Sequence, residues 1–96
     1  MLRRMEVRVP EDWKIDYHEF CDEEPEFDEG VCVNLSQDLL QIAKGSLIID
    51  VGFYRDHYGV KLVRDCDWWN PLRKKDCQSR NEAVRVVEEW AAEVRD

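Results

Sequence analysis

Apolar and polar positions alternate most clearly in the middle of the chain. The first run places a large apolar side chain at every second position: Leu47, Ile49, Val51 and Phe53. A turn-like stretch at 55–59 follows, and Val60 and Leu62 then alternate with Lys61 and Val63. Because strand side chains point to the two faces in turn, this pattern predicts a β-hairpin over about 46–65. After turn-forming residues, a third antiparallel strand is predicted at about 72–78.

A helical period replaces the alternation near the end of the chain. Ser79 and Glu82 have the spacing of a capping box, in which each side chain bonds a free backbone N–H of the first turn. Apolar side chains then recur three or four residues apart: Ala83, Val87, Trp90 and Val94. These signals predict a C-terminal helix over about 80–95, lying across one face of the sheet with Trp90 as its main anchor.

Weaker patterns complete an α+β fold prediction. Ser36 suits a helix N-cap and Gly45 suits the position after a helix end, so a short helix is predicted at about 37–44. Alternation indicates short strands at 5–9 and 31–35. The predicted fold is therefore a small antiparallel sheet packed by the C-terminal helix, with an acidic N-terminal arm and the short helix.

The length of 96 residues predicts one domain. Residues 1–30 are interpreted as an acidic, partly irregular arm held by its aromatic side chains, and residues 31–96 as a compact α+β unit. No apolar run approaches the ~18 residues of a membrane span, and the first nine residues lack the apolar region of a secretory signal. We therefore expect a cytoplasmic protein that does not associate with membranes.

The charge of this chain is concentrated in one stretch. Residues 11–29 contain ten acids and one base, a net charge of −9, whereas the whole chain carries −8. A local field of one sign attracts a partner of the opposite sign and speeds their encounter. The acidity argues against nucleic acid as a direct partner, because phosphates require lysine and arginine. The stretch instead points to a basic protein.

Three interpretations of the densest acidic part remain open: a solvated loop, a partner-binding surface, or a calcium loop. The calcium reading is weak, because Pro25 stands in the middle and the glycine and glutamate of an EF-hand loop have no counterpart. Aromatic side chains among the acids favour partner binding. The candidate partner-binding residues are Glu19, Asp22, Glu23, Glu24, Glu26, Phe27, Asp28 and Glu29.

Other residues offer little chemistry. The four cysteines form no C-x-x-C pair, so neither a metal nor any other cofactor is predicted. His57 is expected to be an exposed residue at the hairpin tip, and no nucleophile stands in a recognised catalytic motif. Trp68 and Trp69 are interpreted mainly as structural, although an exposed tryptophan is a common interface hot spot. The basic run 73–75 is interpreted as protection of an edge strand.

The segments 45–54, 59–63 and 67–72 (GSLIIDVGFY, GVKLV and DWWNPL) resemble small bacterial immunity proteins. Those proteins accompany polymorphic toxins, including the toxins of contact-dependent growth inhibition. The resemblance covers the second half of the chain, and the acidic arm matches no family pattern. It implies a cytosolic protein that neutralises a cognate toxin domain by tight binding. Many such toxins are basic nucleases, and the neutralisation requires no catalysis.

The sequence thus favours an immunity protein that is not an enzyme and that blocks a cognate basic toxin domain through its acidic surface. The alternative is a nucleic-acid-mimicking inhibitor or regulator of a DNA- or RNA-binding protein, which would use the same acids. Gene context separates these two hypotheses. A third hypothesis, a small enzyme or a metal-binding protein, is tested by metal analysis of the purified chain.

Overall fold

The computed structural model describes residues 6–18, 27–28, 31–32, 39–54 and 56–94. The strands are β1 (Lys14–His18), β2 (Phe27–Asp28), β3 (Val31–Cys32), β4 (Leu40–Lys44), β5 (Leu47–Tyr54), β6 (His57–Arg64) and β7 (Arg73–Cys77), and the helix is α1 (Arg80–Glu93). Five strands form one antiparallel sheet in the order β1-β4-β5-β6-β7, and β2 pairs with β3. The predicted α+β class is confirmed.

The predicted hairpin and third strand are present. β5 and β6 pair along their full length, from Leu47 opposite Arg64 to Tyr54 opposite His57. The connection between them is two residues long, so it is shorter than the predicted turn, and His57 begins β6. β7 pairs with β6 from residue 73 to residue 77, within the predicted range.

The hydrophobic core lies on one face of the sheet. β4, β5 and β6 contribute Leu40, Ile42, Leu47, Ile49, Val51, Phe53, Tyr58, Val60 and Leu62 to it. α1 covers this face with small and branched side chains: Ala83, Val84, Val86, Val87 and Ala91. On the opposite face, Asp50 stands directly across from Lys61, a cross-strand pair of opposite charge.

The start of α1 follows the predicted capping box, except that Glu82 bonds the residue before Ser79. The Ser79 Oγ accepts a hydrogen bond from the backbone N–H of Glu82 at 3.1 Å. The Glu82 carboxylate in turn accepts from the backbone N–H of Gln78 at 3.0 Å. Both bonds satisfy N–H groups near the helix start, where the helix itself offers no acceptor. The capping box at residues 79–82 therefore fixes where the helix begins.

Trp13, and not Trp90, is the deeply buried aromatic residue at the end of α1. Trp90 is half-buried, whereas Trp13 is 5% exposed and its indole Nε1 donates to the Ala91 carbonyl at 3.0 Å. That carbonyl belongs to the last turn, where helical carbonyls lack a partner within the helix. Trp13 thus fills the core and caps the helix end at once. The expectation that Trp90 is the main anchor was wrong.

The short helix predicted at about 37–44 was wrong where the structure describes it. Residues 40–44 form β4 and pair with β5 in a regular register from Leu40 opposite Val51 to Lys44 opposite Leu47. Gly45 has φ 58° and occupies the first position of the two-residue turn between β4 and β5, as a type II′ turn requires. The glycine that suggested a helix end therefore serves a hairpin instead.

The arm also differs from the prediction. Residues 6–10 form no strand: Val7 and Val9 pack against the core, but the Arg8 backbone N–H donates to the Glu88 side-chain carboxylate at 2.6 Å and not to a neighbouring strand. Residues 14–18, predicted to be irregular, form β1 and pair with β4. Of the strand predicted at 31–35, β3 covers the first two residues, and residues 33–35 lie outside the described part.

We expect Trp13→Phe to destabilise the fold by about 1–3 kcal/mol. The substitution removes the indole donor, so the buried Ala91 carbonyl loses its partner, and an unsatisfied buried carbonyl costs about that much. Urea denaturation followed by far-ultraviolet circular dichroism measures the change.

The same substitution at an exposed tryptophan is the matched control. Trp69 is 93% exposed, so Trp69→Phe is expected to change the free energy of unfolding by less than about 0.5 kcal/mol, as surface substitutions usually do. Equal effects of the two substitutions would mean that the indole hydrogen bond does not stabilise the helix end.

Candidate partner-binding surface

The connection between β6 and β7 exposes three large apolar side chains. Trp68 is 41% exposed, Trp69 is 93% exposed and Leu72 is 52% exposed. We call residues 65–72 the tryptophan loop. Single exposed apolar residues are ordinary, but several on one short loop mark an interaction surface in many proteins. Tryptophan is also the residue most enriched among binding hot spots.

Hydrogen bonds hold the tryptophan loop in place. Backbone N–H groups along it donate to carbonyls at 2.7–3.2 Å: Asp65 to Ser46, Asp67 to Arg64, Trp68 to Cys66, Asn70 to Asp67, and Leu72 to Leu62. The Asn70 side-chain amide also lies 3.3 Å from the Asp67 carboxylate. The indoles therefore project from an ordered backbone, and a preorganised loop loses little conformational entropy on binding.

The tryptophan loop begins with an unusual turn. Asp65 and Cys66 have φ values of 55° and 59°, and the Asp67 N–H closes the turn onto the Arg64 carbonyl. Two positive φ values at the central positions are typical of a type I′ turn, which normally contains asparagine and glycine. A side chain with a β-carbon costs energy in this left-handed region. The local backbone is thus strained next to the exposed tryptophans.

A basic strand borders the loop. Arg73 of β7 pairs with Glu93 at 2.8 Å, and its guanidinium lies 5.9 Å from the centre of the Trp90 ring. Lys74 and Lys75 are exposed and form no ion pair with another residue that the structure describes. The loop and the strand together present apolar and positive groups side by side.

Most of the predicted acidic site lies outside the described residues. This holds for Glu19, Asp22, Glu23, Glu24, Glu26 and Glu29. Phe27 and Asp28 form β2, which pairs with β3 in a two-residue ladder. The prediction that these residues bind a partner therefore stays a prediction.

Two acids at the beginning of the acidic stretch do have internal partners. The Asp12 carboxylate lies 2.6 Å from the Lys44 Nζ, and the Asp16 carboxylate lies 3.9 Å from the Lys14 Nζ. Partial exposure weakens such pairs, so each contributes little to stability. The Asp12–Lys44 pair does offset one negative charge at this end of the stretch with a base from outside it.

The described residues suggest no reaction centre. The His57 ring lies 3.1 Å from the Asp56 carboxylate and 3.6 Å from that of Asp76, which orients the ring without supplying a nucleophile. Burial raises the pKa of the Cys77 thiol to about 11, and the Glu82 carboxylate adds to that shift. This thiol is therefore protonated at neutral pH and is a poor nucleophile.

The described residues also give no support for a small-molecule pocket, a metal site or a membrane-spanning helix. A shallow cavity of about 160 Å³ lies between residues 10–12, Lys44 and the end of α1, whereas small-molecule sites usually measure about 300–1,000 Å³. The described side chains bring together no group of three or more His, Cys, Asp or Glu that could hold a metal ion. Nor do they include a helix that is both long and apolar enough to cross a membrane.

No protein-family model, curated protein or solved structure matches this chain.

Sequence reasoning underestimated the tryptophan pair. Adjacent side chains in a strand point to opposite faces, which suggested that one indole enters the core, but residues 67–70 form turns and both indoles are exposed. The available signal was the residues that flank the pair. Asp67 precedes it and Asn70-Pro71 follows it, and all three are turn-forming residues. A tryptophan inside such a turn has no strand face through which to reach the core.

Gly45→Ala and Cys66→Gly test the left-handed turn positions in opposite directions. Alanine at residue 45 is expected to destabilise the fold by about 1 kcal/mol, because its β-carbon crowds the following carbonyl at positive φ.

Glycine at residue 66 removes the same crowding by the Cys66 β-carbon. It is expected to stabilise the fold by about 0.5–1 kcal/mol, after the greater freedom of glycine in the unfolded chain is subtracted. Urea midpoints at an unchanged m-value measure both. A loss of stability in Cys66→Gly would contradict strain at this turn.

Proposed function

We propose that this chain is a cytoplasmic immunity protein that binds a cognate basic toxin domain and blocks it without catalysing a reaction. The observation that supports this most is the tryptophan loop, in which Trp69 is 93% exposed on a hydrogen-bonded backbone. The concentration of negative charge in residues 11–29 also supports a basic partner. The resemblance of the second half of the chain to bacterial immunity proteins agrees with both.

A protein partner suits this surface better than a small ligand. The exposed indoles stand on a loop, whereas small molecules bind in concave pockets that bury most of their surface. Protein interfaces concentrate their binding energy in a few tryptophan, tyrosine and arginine residues. Trp68, Trp69 and Leu72 provide such an apolar centre.

The acidic stretch and the tryptophan loop would contribute to different steps of binding. Long-range attraction by the acidic stretch speeds encounter and weakens as salt screens it, with a Debye length of about 8 Å at physiological ionic strength. Contacts made by buried indoles act after encounter and mainly slow dissociation. The proposal therefore assigns association to the acids and residence time to the tryptophans.

Trp69→Ala is expected to weaken binding to the toxin domain encoded by the adjacent gene by roughly 30- to 1,000-fold, which corresponds to about 2–4 kcal/mol for a hot-spot residue. Most of the loss is expected in a faster dissociation rate, measured by surface plasmon resonance with the immobilised toxin domain. Because Trp69 makes no buried contact in the free protein, the variant should retain its urea midpoint.

Ile15 provides the matched control, since it is an apolar side chain, 46% exposed, on strand β1 at the other edge of the sheet. Because Ile15 lies in the stretch to which the proposal assigns association and not residence time, Ile15→Ala is expected to change the dissociation rate less than about threefold. Equal losses from Trp69→Ala and Ile15→Ala, or no binding by the unmodified chain, would count against the proposal.

Glu24→Lys is expected to slow association severalfold at low ionic strength, because it reverses one charge in the densest part of the acidic stretch. Glu89→Lys is the control: it makes the same change in net charge at an exposed position on α1. Association rates at about 0.05 M and 0.5 M salt separate the effects, since high salt should erase the loss. If both reversals slow association equally, the net charge of the whole protein determines the association rate. The acidic stretch then has no specific role in association.

A further inference from the structure

The two edges of the sheet differ in regularity. β1 pairs with β4 through a register shift between Ile15 and Tyr17, and such a bulge is one way in which proteins blunt an edge strand. β7 pairs with β6 over five consecutive residues without a shift. Its outer side lies at the end of the strand order in the described sheet. β7 is therefore the more regular of the two edges, and its lysines protect it against pairing with neutral or basic strands.

The charge on β7 restricts what can pair with it. Lys75 lies on the helix-covered face, opposite Val60, whereas Lys74 lies on the other face, opposite Lys61. Asp50, Lys61 and Lys74 thus form a row across three strands in which two positive charges are neighbours. Opposite charges directly across a strand pair are stabilising, so an acid on the outer side of the exposed Lys74 would be favoured there. A neutral or basic strand would receive no such benefit.

The tryptophan loop determines where an apolar residue of a strand added to β7 would lie. It leads directly into β7, so a strand added antiparallel to β7 would run toward the loop with its C-terminal end. Along the incoming strand, from its N-terminal to its C-terminal end, the residue opposite Lys74 comes first. The residue opposite Leu72 follows two positions later. That position adjoins exposed apolar surface. The preferred segment would therefore carry two adjacent acids, one for each face, then a spacer residue and an apolar residue.

We propose that β7 is a docking edge for an extended acidic peptide segment, which adds to the sheet as a sixth antiparallel strand and rests an apolar side chain on Leu72 and Trp69. Strand addition is a common mode of peptide recognition, in which main-chain hydrogen bonds provide affinity and alternate side chains provide specificity. This site is opposite in charge to the acidic stretch. It goes beyond toxin neutralisation and does not depend on it.

A synthetic peptide tests the proposal on the full chain. The probe is a capped nine-residue peptide with two adjacent glutamates, one spacer residue and a tryptophan, and isothermal titration calorimetry measures its affinity. We expect Lys74→Glu to weaken binding at least tenfold, and we expect Arg85→Glu, the same reversal at an exposed position on α1, to change it less than twofold. A peptide with lysines in place of the glutamates should bind Lys74→Glu better than the unmodified chain.

Backbone methylation distinguishes strand addition from simple charge attraction. Two versions of the probe carry N-methyl groups on alternate amides, one version on the odd positions and one on the even positions. Only alternate amides of an added strand face β7, so one version should lose binding at least tenfold and the other should retain it. Amide hydrogen exchange of residues 73–77 should slow when the unmethylated peptide binds.

Several outcomes would overturn the proposal. These are equal losses from the two methylated peptides, equal losses from Lys74→Glu and Arg85→Glu, or no binding at millimolar peptide. Displacement of the peptide by oligothymidylate of equal charge, at equal concentration, would show a general polyanion surface and would also overturn it. None of these results bears on the toxin assay, so failure of the docking edge and failure of the immunity function are distinguishable.

Discussion

One helix must cover a sheet that is wider than itself, and the rest of the structure follows from this constraint. Neighbouring strands lie about 4.8 Å apart, so five strands span roughly 20 Å, whereas a helix with its side chains is about 10–12 Å across. α1 packs on β5, β6 and β7. Apolar surface beside α1 therefore needs another cover, and the segment before β1 supplies it with Val7, Val9 and Trp13. This end of the chain is structural even though it overlaps the acidic stretch, which begins at residue 11.

The parts of the fold that were predictable from sequence are those whose signals are local. The β5–β6 hairpin was predicted from clear alternation at 47–53 and a shorter alternating run at 60–63, and α1 from a capping box followed by helical periodicity. β4 was mistaken for a helix because its signals were short and ambiguous: Leu39 and Leu40 suit either structure, and Gly45 suits both a helix end and a hairpin turn. Pairing with β5 across the two-residue Gly45-Ser46 turn decided between the two.

The candidate site was harder to predict, for a physical reason. Whether an apolar side chain is buried depends on the path of the backbone around it, and the exposure of Trp68 and Trp69 follows from turns that take residues 65–70 out of the sheet. The role of Trp13 was missed for the same reason, since its partner carbonyl is 78 positions away in sequence. Charge was easier to assess, because the imbalance in residues 11–29 is visible without any structure. The basic strand β7 was recognised from sequence as an edge strand. Its position beside the tryptophan loop, with which it forms one surface, was not predicted.

The contrast between Trp13 and Trp69 has an optical consequence. An indole enclosed by aliphatic groups emits at shorter wavelength than one surrounded by water, and these two side chains, 5% and 93% exposed, occupy the two extremes. The emission spectrum of this protein is therefore a composite in which Trp13 contributes the blue end and Trp69 the red end, with Trp68 and the half-buried Trp90 between them. A dissolved quencher such as iodide would reduce the emission of the exposed Trp69 before that of the buried Trp13. A single fluorescence titration can therefore report on the surface and the interior separately.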